Sequence, residues 1–220
     1  MSPELHQWID LALRWTHVFA GILWVGTTFY FTWLDGRFSE LEEQSKDTKP
    51  GEKQFVWMVH SGGFYAVEKQ KIPHLMPVTL HWFKWEAAIT WITGFLLFGL
   101  LFYHGGYLSS VEDAPITKGA AIGLSVGLLL TGWVVYDLLW QFCKGDALGV
   151  AVSYALVVLT ALVCCKYFTG RAAYPQLGTM FGTIMAANVW MRILPAQGRM
   201  VAALRAGQPS NLAEGARAKA

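Results

Sequence analysis

Five apolar stretches separated by polar segments dominate the chain, at about Trp8 to Leu34, His81 to Tyr103, Gly119 to Phe142, Leu148 to Phe168 and Ala173 to Leu194. Each is long enough to carry a helix across a hydrocarbon core of about 30 Å, which takes roughly 20 residues. The pattern therefore predicts an all-α integral membrane bundle with five transmembrane helices. Between the first two stretches the pattern changes. A polar segment, SELEEQSKDTKPGEK, leads into FVWMVHSGGFYAVEK, where two β-prone runs flank Ser-Gly-Gly and predict a β-hairpin at about residues 55–68. KIPHLMP then returns the chain to the membrane. Pro73 and Pro77 forbid a continuous helix there, which puts His74 and Met76 in an irregular connector. CKGDA, joining the third and fourth stretches, has room only for a tight helical hairpin. Residues 1–198 thus read as one transmembrane domain and 199–220 as a polar tail.

Composition agrees with a lipid environment: 54% of residues are hydrophobic and 15% charged, and several of the eleven Trp (Trp8, Trp33, Trp82, Trp85, Trp140) stand near stretch ends, as in an interfacial aromatic belt. The net charge of +2 gives no reason to expect a nucleic-acid partner. The placement of the basic residues says more. Arg37, Lys46, Lys49, Lys53, Lys69 and Lys71 lie between the first two stretches and Arg199, Arg205, Arg217 and Lys219 follow the last, whereas the second-to-third connection holds only Lys118. The positive-inside rule then puts the N-terminus outside, with the hairpin and C-terminus in the cytoplasm. The first stretch lacks a basic n-region and a small-residue cleavage pattern, so it is expected to be retained. Cys143, Cys164 and Cys165 form no C-x-x-C-H, which leaves no covalent c-type haem site, and they read as structural. Glycines at four-residue spacing, Gly119, Gly123 and Gly127 and then Gly178 and Gly182, predict close helix packing.

Ionisable residues inside spans are costly and mark candidate sites. In the first helix Asp10, Arg14, His17, Gly21, Trp24 and Thr28 fall on one stripe, which is expected to face the interior. His17, with Gly21 one turn away, is placed as a ligand of haem iron would be. The alternative is a histidine hydrogen-bonded to a neighbouring helix. By the rise of ~1.5 Å per residue His81 lies roughly 20 Å away in depth, too far to share a haem, and Met180 is the candidate second ligand. A second layer forms nearer the hairpin. Lys84 and Glu86, two residues apart, point to opposite sides of their helix; with Asp137 and Arg192 at similar depth they make a candidate catalytic layer. His60, Tyr65, His81 and Asn188 are candidates on its substrate side. The layer reads either as an anion or substrate site, or as charge pairing that fixes helix register.

WTHVFAGILWVGTTFYF, HSGGFYAVEK, HWFKWEAAITWITGF, GWVVYDLL and NVWMRILPAQ, in this order, resemble the membrane domain of the bacterial cytochrome-linked urate hydroxylases, the urate oxidase N-terminal family, over about Trp8 to Gln197. His17, Trp24 and Gly26 also look like the first helix of membrane haem-binding protoporphyrinogen oxidases, a comparison in which His17 and Lys84 match positions expected to matter. The family resemblance implies a bacterial inner-membrane protein, oxidation of urate, and electrons passed to a C-terminal c-type haem domain beyond further helices. With no C-x-x-C-H before Ala220, the expectation here is haem b at most and transfer to a separate cytochrome c. The alternative is a non-catalytic accessory subunit of a respiratory or photosynthetic membrane complex.

Overall fold

The computed structural model describes residues 2–44, 54–70, 79–109, 116–143 and 145–208. The elements are α1 (Pro3–Gln44), β1 (Phe55–His60), β2 (Gly63–Glu68), α2 (Trp85–Phe98, prolonged by a π-helical turn Gly99–His104), α3 (Lys118–Phe142), α4 (Asp146–Tyr167), α5 (Gly170–Asn188) and α6 (Leu194–Arg205). A second π-type segment, Val189–Ile193, makes α5 and α6 continuous. Among the described residues, four helical segments are long and apolar enough to cross a membrane: Trp85–His104, Lys118–Phe142, Asp146–Tyr167 and Gly170–Arg205. α1 is longer than any of them but more polar on average, because Thr, Trp, Tyr and His are interspersed along it; even so, Trp15 to Leu34 contains no Asp, Glu, Lys or Arg.

Helix α5 is the hub: it packs on α2, α3 and α4, whereas α1 packs chiefly along α2. Thr117 and Thr169 cap α3 and α5, each hydroxyl accepting from a backbone N–H three residues on (3.3 and 3.2 Å). At the end where α1 begins, Phe98, Phe102, Leu108, Ala121, Cys164 and Phe168 form the core, and the buried Cys164 and exposed Cys165 are both free. Several expectations are refined. α1 continues into the segment expected as polar loop, as far as Gln44, because Leu34, Phe38 and Leu41 make an apolar stripe on which the hairpin lies. α2 starts at Trp85, so His81 and Trp82 precede it. The segment expected as tail begins helical, through Arg205, and Pro195, which has no N–H to donate, falls where the π-type segment passes into α6. A Cβ added at Gly119, Gly123 or Gly127 would meet nothing within 4 Å, so that stripe is not a helix contact as expected. His74, Met76 and the end of the tail lie outside the described residues.

The hairpin is antiparallel, with Val56 opposite Val67, Met58 opposite Tyr65 and His60 opposite Gly63. Its two-residue turn puts Ser61 and Gly62 at φ of 48° and 77°, the mirror-image geometry that matches strand twist.

Candidate functional site

Part of the α1 stripe faces the interior: Asp10, His17, Gly21 and Trp24 are half-buried, whereas Arg14 and Thr28 are exposed. His17 lies against α2, where its Nδ1 is 2.9 Å from the carbonyl oxygen of Thr90. A carbonyl only accepts, so Nδ1 donates this bond, which in the neutral ring leaves Nε2 as the lone-pair nitrogen. Thr93 Oγ1, 3.4 Å from Nδ1, donates instead to the Ile89 carbonyl at 2.6 Å; Nε2 has no hydrogen-bond partner among the described residues. Gly94 makes this seat. A Cβ there would stand 2.7 Å from His17 Cε1 and 3.1 Å from Nδ1, inside contact distance.

His17 borders a cavity of about 540 Å³ between α1, α2 and α5. Apolar side chains of α2, including Phe95, Phe98 and Leu101, make one wall; on α5 Gly178 and Gly182 make another, where an added Cβ would meet open space. Two cations border it as well. Arg14 is held by Asp10, Nε donating to Oδ2 at 2.7 Å, while the guanidinium of Arg171 stands 5.6 Å from the Tyr107 ring centroid. Both are nearer than His17 to the end of the bundle marked by stacked His6 and His104 rings. The residues present fit haem: an imidazole oriented by a carbonyl through one ring nitrogen, apolar walls, and Arg171 as a cation suited to a carboxylate. Met180 does not join it. Two residues from both Gly178 and Gly182, it points to the opposite side of α5 and packs on Gly132 of α3, where a Cβ would be 2.9 Å from its Cγ. It borders a separate, mainly apolar cavity of about 440 Å³ between α3, α4 and α5, together with Asn188 and Ser153.

The predicted charged layer divides in two. Arg192 grips Asp137 with one edge of its guanidinium, Nε to Oδ1 at 2.7 Å and the terminal nitrogen to Oδ2, and Gln141 donates to the same carboxylate at 2.6 Å. Lys84 lies on another side of α5, its ammonium 5.4 Å from the Trp85 ring and 5.8 Å from the Trp190 ring. Trp190 and Arg192 are two residues apart and project in different directions, which is why the layer splits. Lys84 and Glu86 do not pair, in keeping with their spacing; Glu86 Oε2 is buried with no hydrogen-bond partner among the described residues. His81 is exposed and edge-on to Phe83, and His60 and Tyr65 belong to a hairpin packed on α1, so these residues are not gathered around Asp137.

The match of the Urate oxidase N-terminal family model runs over residues 3–220. The chain belongs to that family. No curated protein and no solved structure matches it. Much of the cavity in this member of the urate oxidase N-terminal family comes from residues that pattern reading passed over. Gly94 and Arg171 carry no periodic signal. Nor does the buried Tyr103–Ser125–Gln176 network that ties α2, α3 and α5 together: Tyr103 Oη is 2.8 Å from Ser125 Oγ, which donates to Gln176 Oε1 at 2.6 Å, and Gln176 Nε2 donates back to the Ser125 carbonyl at 3.0 Å. A glutamine within an apolar run was the available signal for that network.

Proposed function

We propose that the chain is a five-span redox protein of a bacterial cytoplasmic membrane, with α1 as the fifth span, the N-terminus outside and the hairpin in the cytoplasm. Haem b occupies the His17 cavity and electrons leave to a separate cytochrome c. The observation that carries this reading is the His17 seat: Nδ1 committed to the Thr90 carbonyl at 2.9 Å and Nε2 left free beside a cavity of about 540 Å³. His17 would hold the iron, and Arg171, without a carboxylate partner among the described residues, would receive a haem carboxylate, Arg14 being already paired with Asp10. Bound there, haem supplies one-electron oxidation and reduction. The protein's own part is to orient the imidazole through Thr90, to leave room for it at Gly94, and to exclude water with the α2 aromatics.

The family name directs the substrate test to urate or a similar small anion. Lys84, without a carboxylate partner among the described residues and lying over two tryptophans, is the cation proposed to attract it, with Glu86 as the nearby carboxylate. Asp137 and Arg192 serve register, since each already neutralises the other.

Purification in mild detergent followed by a reduced-minus-oxidised spectrum tests the cofactor. A haem b spectrum that disappears in His17→Ala supports it, and a colourless protein with no difference spectrum overturns it. Failure of urate to reduce added cytochrome c would overturn the catalytic part. The alternative, an accessory subunit, draws on the exposure of Trp8 (70%), Ile22 (63%) and Phe29 (72%) on α1. It requires co-purification with a larger assembly.

A further inference from the structure

The hairpin's outer face is uncovered, and it is apolar except at the open end, where Glu68 stands opposite Phe55. Phe55, Trp57, Val59 and Phe64 project from it, the last three 68%, 67% and 79% exposed. The contacts along α1 show where this face lies. At the open end of the hairpin Gln54 Nε2 donates to the Leu41 carbonyl at 3.0 Å; further along, Val56 is buried against Leu34 and Phe38; further still, Tyr30 Oη donates to Met58 Sδ at 3.6 Å. β1 therefore runs back down α1, toward the uncharged stretch that ends at Leu34, and its last residues and turn continue past the level of Tyr30. The ion pairs Lys69–Asp35 (2.5 Å) and Arg37–Glu40 (2.9 Å) lie at the open end, away from the turn.

We infer that the hairpin's aromatic face lies on the lipid of the bilayer that α1 crosses, with its turn dipped into the headgroup layer. The inference rests on reading α1 as a span. Two considerations set the depth. A two-stranded sheet has two open edges, whose unpaired N–H and C=O groups hydrocarbon would not satisfy. The headgroup layer satisfies them and is where aromatic rings concentrate. Size argues against a second copy of the chain. Strands of six residues at ~3.3 Å rise, set ~4.8 Å apart, present a face of about 200 Å², against ~800 Å² per partner in a stable interface. The hairpin thus holds the exit of α1 at a fixed height in the membrane.

The test uses the full chain in nanodiscs, with Cys143→Ser and Cys165→Ser and the buried Cys164 left in place. Single cysteines replacing Trp57 or Phe64 carry an environment-sensitive fluorophore, with Phe19→Cys on α1 and Ser39→Cys beyond the span as references. Lipid contact at Phe64→Cys and Trp57→Cys gives blue-shifted emission, largely lost with spin-labelled lipid and little changed by aqueous iodide. Quenching by iodide alone overturns the inference in favour of a water-facing surface. Protection from both quenchers overturns it in favour of a protein partner. A Phe19→Cys label that spin-labelled lipid leaves unquenched shows instead that α1 is not a span, which separates the two failures.

Discussion

Gly94 and His17 are coupled closely enough that a change at the first reads out at the second. A methyl at residue 94 would sit 2.7 Å from the imidazole, and overpacking of this kind costs ~1–3 kcal/mol, with 1.4 kcal/mol equal to about tenfold in binding. Gly94→Ala is expected to lower haem affinity by about tenfold in a spectrophotometric titration. Gly26→Ala, on the same pair of helices but with open space at its Cβ, leaves affinity unchanged. Equal losses in the two variants would contradict the seat described for His17. The polar network gives a second prediction at this scale. Ser125→Ala strands Gln176 Oε1 and Tyr103 Oη in a buried site, at a cost of ~1–3 kcal/mol seen as a lower melting temperature. Adding Gln176→Leu and Tyr103→Phe, which removes the stranded groups, should recover part of that loss. His17 was legible in the sequence because a histidine on a helical stripe is chemically conspicuous. Gly94 was not, since its role is to have no side chain where another helix brings one.

Individual helices were legible to within a few residues wherever hydropathy changes abruptly, as at both ends of α3. They were less so where a polar segment is rescued by tertiary contacts, as at Leu34, Phe38 and Leu41, which draw α1 out beneath the hairpin. Rotation about an axis was the harder quantity. Depth placed Met180 near His17, but its direction from α5 puts it on Gly132, and depth placed Lys84, Glu86, Asp137 and Arg192 in one layer that the rotation of α5 divides. The α3–α5 pair can be tested as a unit. Asp137 is 14% and Arg192 47% exposed, so Asp137→Asn is expected to cost on the order of 1 kcal/mol, read as a lower melting temperature in detergent. The exchanged pair Asp137→Arg with Arg192→Asp should regain most of it. Recovery by exchange identifies a register-setting ion pair; a stable exchanged protein that loses urate-dependent reduction of cytochrome c would return these residues to the catalytic site.

Across the whole molecule, the His17 cavity joins parts that otherwise share little. α1 rests chiefly on α2, α3 and α4 rest on α5, and the cavity takes walls from α1, α2 and α5. A group bound there bridges the α1–α2 pair to the rest of the bundle, and it stabilises the folded chain by mass action, about 2.7 kcal/mol at a free concentration 100 times the dissociation constant. Haem addition is therefore expected to raise the thermal unfolding midpoint of the intact protein. His17→Ala should abolish that increment and lower the apo midpoint only modestly, by the loss of one hydrogen bond to the Thr90 carbonyl worth about 1 kcal/mol. Asp137→Asn should lower the apo midpoint and keep the full increment, since α5 separates the two regions. An increment that survives in His17→Ala would place the haem elsewhere in the molecule, and an increment lost in both variants would mean that the two sides of α5 are not energetically separate.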